Sequence, residues 1–290
     1  MEVGEAKLQS VGGDMRRLAT LRVGALSALM LGAVTLSAST SASASVPGPG
    51  LALQEWHAPR IPGPTPTTRP GALAVIREWS SKNWSGYAVT GTAFTQVTGT
   101  WRVPQVQVPR KRHYRKNTFS SSWVGIDGFG NGSLIQAGTE QDWVNGKPFY
   151  QAWWEVLPAP ETPISPMPIR PGDEMTVSIT GGLPDWTITV TDVTTSQSST
   201  TLHRYSGPET SAEWIQEAPT IGRHVATLAA DATVTFDGGT LNGANPGLID
   251  TDAGAMYKGR HTISSPSVPD SDRDGFAVAY GALAPSAPPS

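Results

Sequence analysis

EMTVSITGGLPDWTITVTD, residues 174–192, alternates apolar and polar side chains on both sides of a GGLP break. Met175, Val177 and Ile179 form one apolar set, and Trp186, Ile188 and Val190 form the next. Period-two order of this kind marks strands with one buried face. The other face of the second run is Thr187, Thr189 and Thr191, an ordinary wetted surface. QVTGTWRVP, upstream, repeats the pattern with Val97, Gly99, Trp101 and Val103. Gly, Pro and Asp-Gly signals punctuate the chain every ~10 residues, and no long segment carries a capped 3.6-residue period. These features predict one all-β domain over residues 80–282, an antiparallel β-sandwich of the jelly-roll, concanavalin-like kind built from two curved sheets.

Outside that domain the texture changes. Met15-Arg16-Arg17 and Arg22 precede an apolar stretch, Val23 to Val34, and Ala42-Ser43-Ala44 offers a small-x-small cleavage site. Residues 1–44 therefore read as a signal peptide, with Met15 as a candidate start because Glu2, Glu5 and Asp14 suit a basic signal end poorly. The apolar run is short for a transmembrane span. Residues 45–79 are rich in proline and read as an extended leader or pro-segment. Residues 283–290, LAPSAPPS, read as a disordered tail. The expected product is secreted, extracellular and monomeric, with no stable membrane association after signal cleavage.

The 290-residue chain has a formal net charge of −3 and 16% charged residues, so nothing in it suggests a nucleic-acid partner. RKRHYRKN (110–117) is a local basic cluster, read as a surface loop. With no cysteine, thiol nucleophiles, Cys-ligated zinc and disulfides are excluded. A chain of this length buries enough core to be exported without staples.

Sorting the tryptophan-rich strands by parity gives a second kind of face. In SWVGIDG, Val124 and Ile126 point one way and Trp123 and Asp127 the other. Ile135 opposes Gln136. Ala152, Trp154 and Val156 oppose Gln151, Trp153, Glu155 and Leu157. Ala212 and Trp214 oppose Glu213, Ile215 and Glu217. A face that mixes large aromatics with acids and an amide suits a groove floor, where aromatics supply contact area and polar groups orient a ligand. Patterning alone leaves two other readings open, a wet face with scattered Trp and an inter-sheet core with satisfied polar groups.

No HExxH, no GxSxG elbow and no paired pepsin-type Asp-Thr/Ser-Gly loops occur, and the five histidines lack ligand spacing. Asp270, Asp272, Asp274 and Gly275 open like a calcium loop, but the twelfth position is Gly281 rather than glutamate. A plain Asp-Gly turn is the expectation there, with no metal and no cofactor.

NWSGY (83–87), WVGIDG (123–128), LIQAG (134–138), AWWE (152–155) and AEWIQE (212–217) occur in that order and resemble the glutamic endopeptidases called eqolisins, peptidase family G1. The resemblance, to a bacterial-type member lacking disulfides, spans roughly residues 80–280. It implies a β-sandwich with a concave substrate groove. It also implies acid-active, pepstatin-insensitive hydrolysis of polypeptides by a Gln/Glu dyad, which falls on Gln136 and Glu217. Glu213, the first glutamate of its motif, is not the dyad member. Trp84, Trp123, Asp127, Trp153 and Glu155 become groove or supporting residues. The family's Asp-Trp pair after the glutamine falls on Asp142 and Trp143 when two residues of TEQ are taken as an insertion. Leu157 and Gln151 stand where fungal members carry tyrosine and aspartate.

The implied chemistry is coherent. A glutamate, with a reference pKa of about 4.3, suits work as base and then acid at low pH, whereas an amide keeps its N–H donors at any pH. Two other classes fit the patterning. One is a β-sandwich glycoside hydrolase using Glu155 and Glu217; the other is a noncatalytic carbohydrate- or peptide-binding module.

Overall fold

The computed structural model describes residues 79–109 and 116–290. The signal peptide, the leader up to residue 78 and basic-cluster residues 110–115 lie outside the described residues. Among the described residues, seventeen strands follow one another. The first six are β1 (Trp79–Ser81), β2 (Trp84–Thr90), β3 (Gln96–Arg102), β4 (Ser121–Ile126), β5 (Ile135–Val144) and β6 (Lys147–Val156). Then come β7 (Thr162–Pro163), β8 (Glu174–Gly182), β9 (Asp185–Asp192), β10 (Gln197–Arg204) and β11 (Ser211–Glu217). The last are β12 (Thr220–Ile221), β13 (His224–Val225), β14 (Val234–Leu241), β15 (Ala253–Lys258), β16 (His261–Pro266) and β17 (Phe276–Tyr280). Among the described residues the helical content is a single 3₁₀ turn, Asp250–Asp252. No helix there is long and apolar enough to cross a membrane.

The all-β expectation holds, and the two layers prove to be continuous. Hydrogen bonds run from β10 through β9, β8, β3, β14, β17, β16, β15, β2, β11, β4, β5 and β6 to β7. This path folds back on itself, so that β8, β9 and β3 pack their apolar faces against β4 and β5. Val97, Trp101, Val177, Ile179, Trp186 and Ile188 meet Val124, Ile126, Ile135, Ala137 and Trp214 in the main core. All pairings are antiparallel except β1 with β15, which is parallel. Residues 283–290 carry no strand or helix, and Ser271 donates its amide to the Ser290 hydroxyl at 3.2 Å.

One turn sets the register that matters. Asn145-Gly146 joins β5 to β6 with φ values of 52° and 79°, the left-handed pair of a type I′ hairpin. Val144 therefore pairs with Lys147, and the ladder runs without a bulge to Ile135 opposite Val156. Nine pairs from the turn, Gln136 meets Glu155.

Candidate active site

The face of β2, β11, β4, β5 and β6 that points away from the main core carries three rows of side chains. One row is Trp84, Glu217, Ser121, Glu140 and Gln151. The middle row is Gly86, Ile215, Trp123, Gly138 and Trp153. The third is Ala88, Glu213, Gly125, Gln136 and Glu155. Trp84, Trp123, Trp153 and Ile215 form a second apolar cluster with Trp79, Phe129 and Leu134. Trp84 and Trp123 meet edge to face at 4.8 Å, a favourable aromatic geometry. Gly138 is required beside Trp123: a Cβ there would collide with the Ser122 carbonyl and with Trp123 itself.

The rows bring together most of the residues expected from sequence. Gln136 is fully buried and donates its amide N–H to Glu155 Oε2 at 2.5 Å. That bond occupies one of two amide hydrogens, and Oε1 is buried without a partner. The Glu217 carboxylate accepts from Trp123 Nε1 at 2.8 Å and from Asn83 Nδ2 at 3.2 Å. Ser81 and Asn83, at the β1–β2 corner, hydrogen-bond each other, which fixes the amide that holds Glu217. Trp153 donates to Ser121 Oγ, between Glu217 and Glu140.

Three placements differ from expectation. The TEQ segment is absorbed as regular strand, so Asp142 is carried beyond the three rows, where its Oδ1 accepts the Ser120 amide at 3.0 Å. Glu140, unmarked in the sequence reading, takes the place four residues after Gln136 and stands level with Glu217 across Ser121. Asp127 sits just past the end of β4 at φ 67°, and its carboxylate serves the loops. It accepts from Tyr205 Oη at 2.7 Å, the amides of Glu209 and Thr210 at 2.9 Å, and Asn131 Nδ2 at 3.2 Å. It makes no hydrogen bond to Gln136 or Glu217 among the described residues. Its role is to anchor the segment that leads into β11 and to hold a backbone conformation that non-glycine residues seldom adopt.

Register also raises a rival. Glu213 is level with Gln136, with only Gly125 between them, whereas Glu217 is offset from it by four residues, about 13 Å of strand. Both glutamates are fully buried, and their hydrogen bonding differs. Burial pushes the Glu213 carboxyl well above the ordinary glutamate value, and the nearby Asp127 charge adds to this. The Ser211 hydroxyl and the Phe129 amide pull only partly the other way. Glu213 is thus biased toward its neutral form, whereas the Glu217 carboxylate accepts from two N–H donors.

Behind the row that holds Glu217, the opposite face of the sheet is polar, a feature that alternation alone did not reveal. Ser122 donates to Gln216 Oε1 at 2.6 Å, and Gln216 Nε2 donates to Asp231 Oδ2 at 3.0 Å. Ser120 donates to the same oxygen. Gln141 and Thr139 extend the network to Trp101. Burial raises the Asp231 carboxyl well above its usual range, against the hydrogen bonds from Ser120 and Gln216.

Comparison with known proteins identifies the family. The family described as the Peptidase A4 family matches residues 82–273. Aspergillopepsin-2 of Aspergillus niger is 29% identical over 198 residues, covering 61% of this chain and 70% of that protein. Two solved structures are similar in fold. Scytalido-glutamic peptidase with a transition state analog inhibitor has a TM-score of 0.58 at 21% identity, over 69% of this chain and 98% of that one. SCP-B, a member of the eqolisin family in complex with the tripeptide Ala-Ile-His, has a TM-score of 0.52 at 21% identity, with the same coverage. The glycoside hydrolase and binding-module readings find no support among these relatives. The chain belongs to the Peptidase A4 family, the glutamic peptidases or eqolisins, and is a hydrolase of peptide bonds.

Proposed function

We propose that the chain is an acid-active, pepstatin-insensitive endopeptidase whose working pair is Gln136 and Glu217. The observation that carries this reading is the pair of N–H donors, Trp123 and Asn83, aimed at the Glu217 carboxylate. They favour the ionised form that a general base needs, whereas Glu213 is kept neutral by burial.

The ionised Glu217 takes a proton from water, and the water oxygen attacks the scissile carbonyl carbon. The free amide hydrogen of Gln136 donates to the resulting oxyanion, while Glu155 holds the other hydrogen and so fixes the amide plane. Glu217 then returns the proton to the leaving nitrogen and the C–N bond breaks. Both groups act on one scissile carbonyl, which is bound between the two side chains over the Trp123 ring. Aromatic residues of the middle row supply the apolar contact, and Glu140 and Gln151 line the same row as Glu217.

Glu217→Gln tests the assignment in a protein-digestion assay at acid pH, beside Glu213→Gln and Gln136→Ala. The expected loss is ~1000-fold for Glu217→Gln and about 100- to 1000-fold for Gln136→Ala. Near wild-type turnover by Glu217→Gln, with Glu213→Gln inactive, moves the base to Glu213. Export belongs to the same reading, with residues 1–44 removed as a signal and residues 45–79 released as a pro-segment in acid. N-terminal sequencing of the secreted, active protein is expected to begin near residue 80; a fully active form beginning near Ser45 removes the pro-segment role.

A further inference from the structure

The loop before β17, VPDSDRDGF, reads in sequence as a calcium-loop opening that lacks its twelfth-position glutamate. In the fold a carboxylate arrives from elsewhere. Asp237 lies on β14 where the register with β3 shifts, and β14 pairs with β17 through Phe236 opposite Phe276. This pairing brings Asp237 against Gly275. One carboxylate oxygen each from Asp237, Asp270 and Asp274 then lies within 4.8 Å of the other two.

Asp270 is the decisive member. It is only 5% exposed, and its Oδ2 makes no hydrogen bond of good geometry, its polar neighbours being the Gly275 amide and the Asp272 carboxyl. Its Oδ1 is occupied by the amides of Arg273 at 2.8 Å and Asp274 at 3.2 Å, which lock the carboxylate plane and aim Oδ2 at the cluster. Leaving such an oxygen buried and unmatched is costly, so native structures seldom do it without a bound partner. The convergence is visible at Gly275, where a Cβ would collide with Asp270 Oδ2. The same carbon would lie 2.9 Å from the Phe236 carbonyl oxygen and 3.0 Å from Asp237 Oδ1. Oxygens from three chain segments therefore meet at one point that only glycine leaves open. Asp274 Oδ1 is likewise buried without a partner.

No Lys or Arg among the described residues forms an ion pair with these acids. Arg273, the cation within the loop, instead donates to the carbonyls of Leu248 at 2.9 Å and Gly247 at 2.6 Å. Burial first, and then the charge of Asp272, pushes the carboxyls of Asp270 and Asp274 upward, as expected of crowded acids.

We propose that Asp237, Asp270, Asp274 and the Phe236 carbonyl form a structural calcium site, separate from the catalytic face, that fastens the β14 bulge to the loop before β17. An all-oxygen donor set selects a hard cation, and calcium bound at about 2.3–2.6 Å tolerates ligand oxygens up to about 5 Å apart. Asp237 supplies from β14 what position twelve of the loop lacks.

The test is calcium titration of the full-length protein at pH 7, read by calorimetry and by thermal melts in calcium and in EDTA. Binding at a Kd of about 0.1–1 mM is expected. A tenfold excess over that Kd raises Tm by about 3–5 °C. Asp237→Asn removes most of the shift and Asp270→Asn removes all of it. Asp237 is exposed, and an asparagine there keeps the bond from the Gly238 amide, so this variant folds. Absence of any calcium-dependent shift in the wild type overturns the site. So does a shift that Asp237→Asn and Asp270→Asn both retain in full.

Discussion

β9 and β11 are strands of similar length in the same continuous ladder, and they are built on opposite plans. DWTITVTD alternates strictly, with Trp186, Ile188 and Val190 buried and Thr187, Thr189 and Thr191 partly exposed. Its polar face is tied sideways by hydroxyl pairs, Thr189 with Thr200 at 3.1 Å and Thr191 with Ser198 at 3.0 Å. SAEWIQE is buried at every position although two of its seven residues are glutamates. Burying acids on a strand works against stability unless each is hydrogen-bonded or neutral, and β11 uses both remedies. Glu217 is hydrogen-bonded and Glu213 is neutralised. β9 stabilises the sandwich, whereas β11 gives up some stability to hold reactive groups.

That contrast breaks most visibly under Glu217→Gln, which removes ~1000-fold of turnover while the protein still folds, because the isosteric amide oxygen keeps one of the two bonds from Trp123 and Asn83. A large fall in stability with activity per folded molecule retained contradicts the division. Ile179→Ala, in the β8 neighbour of β9, does the reverse. It is expected to cost about 2–5 kcal/mol in denaturant unfolding while the surviving folded enzyme keeps its rate.

A subtler test uses pH. Glu213 and Asp231 have carboxyl values raised in the folded state from ordinary values of 4.5 and 3.8. Folding therefore takes up protons, so their contribution is fully present below those ordinary values and is lost as pH rises through the raised ones. The wild-type melting temperature should fall from pH 4 toward neutrality, and Glu213→Gln with Asp231→Asn should flatten the fall. An unchanged slope in the double variant sinks this account of acid tolerance.

Much of the face assignment was legible from sequence. Alternation sends Trp123, Gln136, Trp153, Glu155 and Glu217 to the same side, and the fold places them there. Register was not legible, because period two distinguishes sides and says nothing about which residue on one strand stands beside which on the next. For that reason Glu140 went unmarked and Asp142 was expected nearer the site. Asp127 was assigned by parity, but parity ends with the strand, and its left-handed backbone turns the carboxylate to the loops. The calcium-type loop looked incomplete because its remaining ligand is a strand away in space and 33 positions away in number, at Asp237 against Asp270.

The Asn145-Gly146 turn carries a constraint on how this chain can change. Its sequence is open to any pair that accepts left-handed backbone, but the register it sets is not. A slip of one residue between β6 and β5 would turn Glu155 away from Gln136, although the turn lies nine positions from the amide. The distance from turn to amide can drift, and its parity cannot.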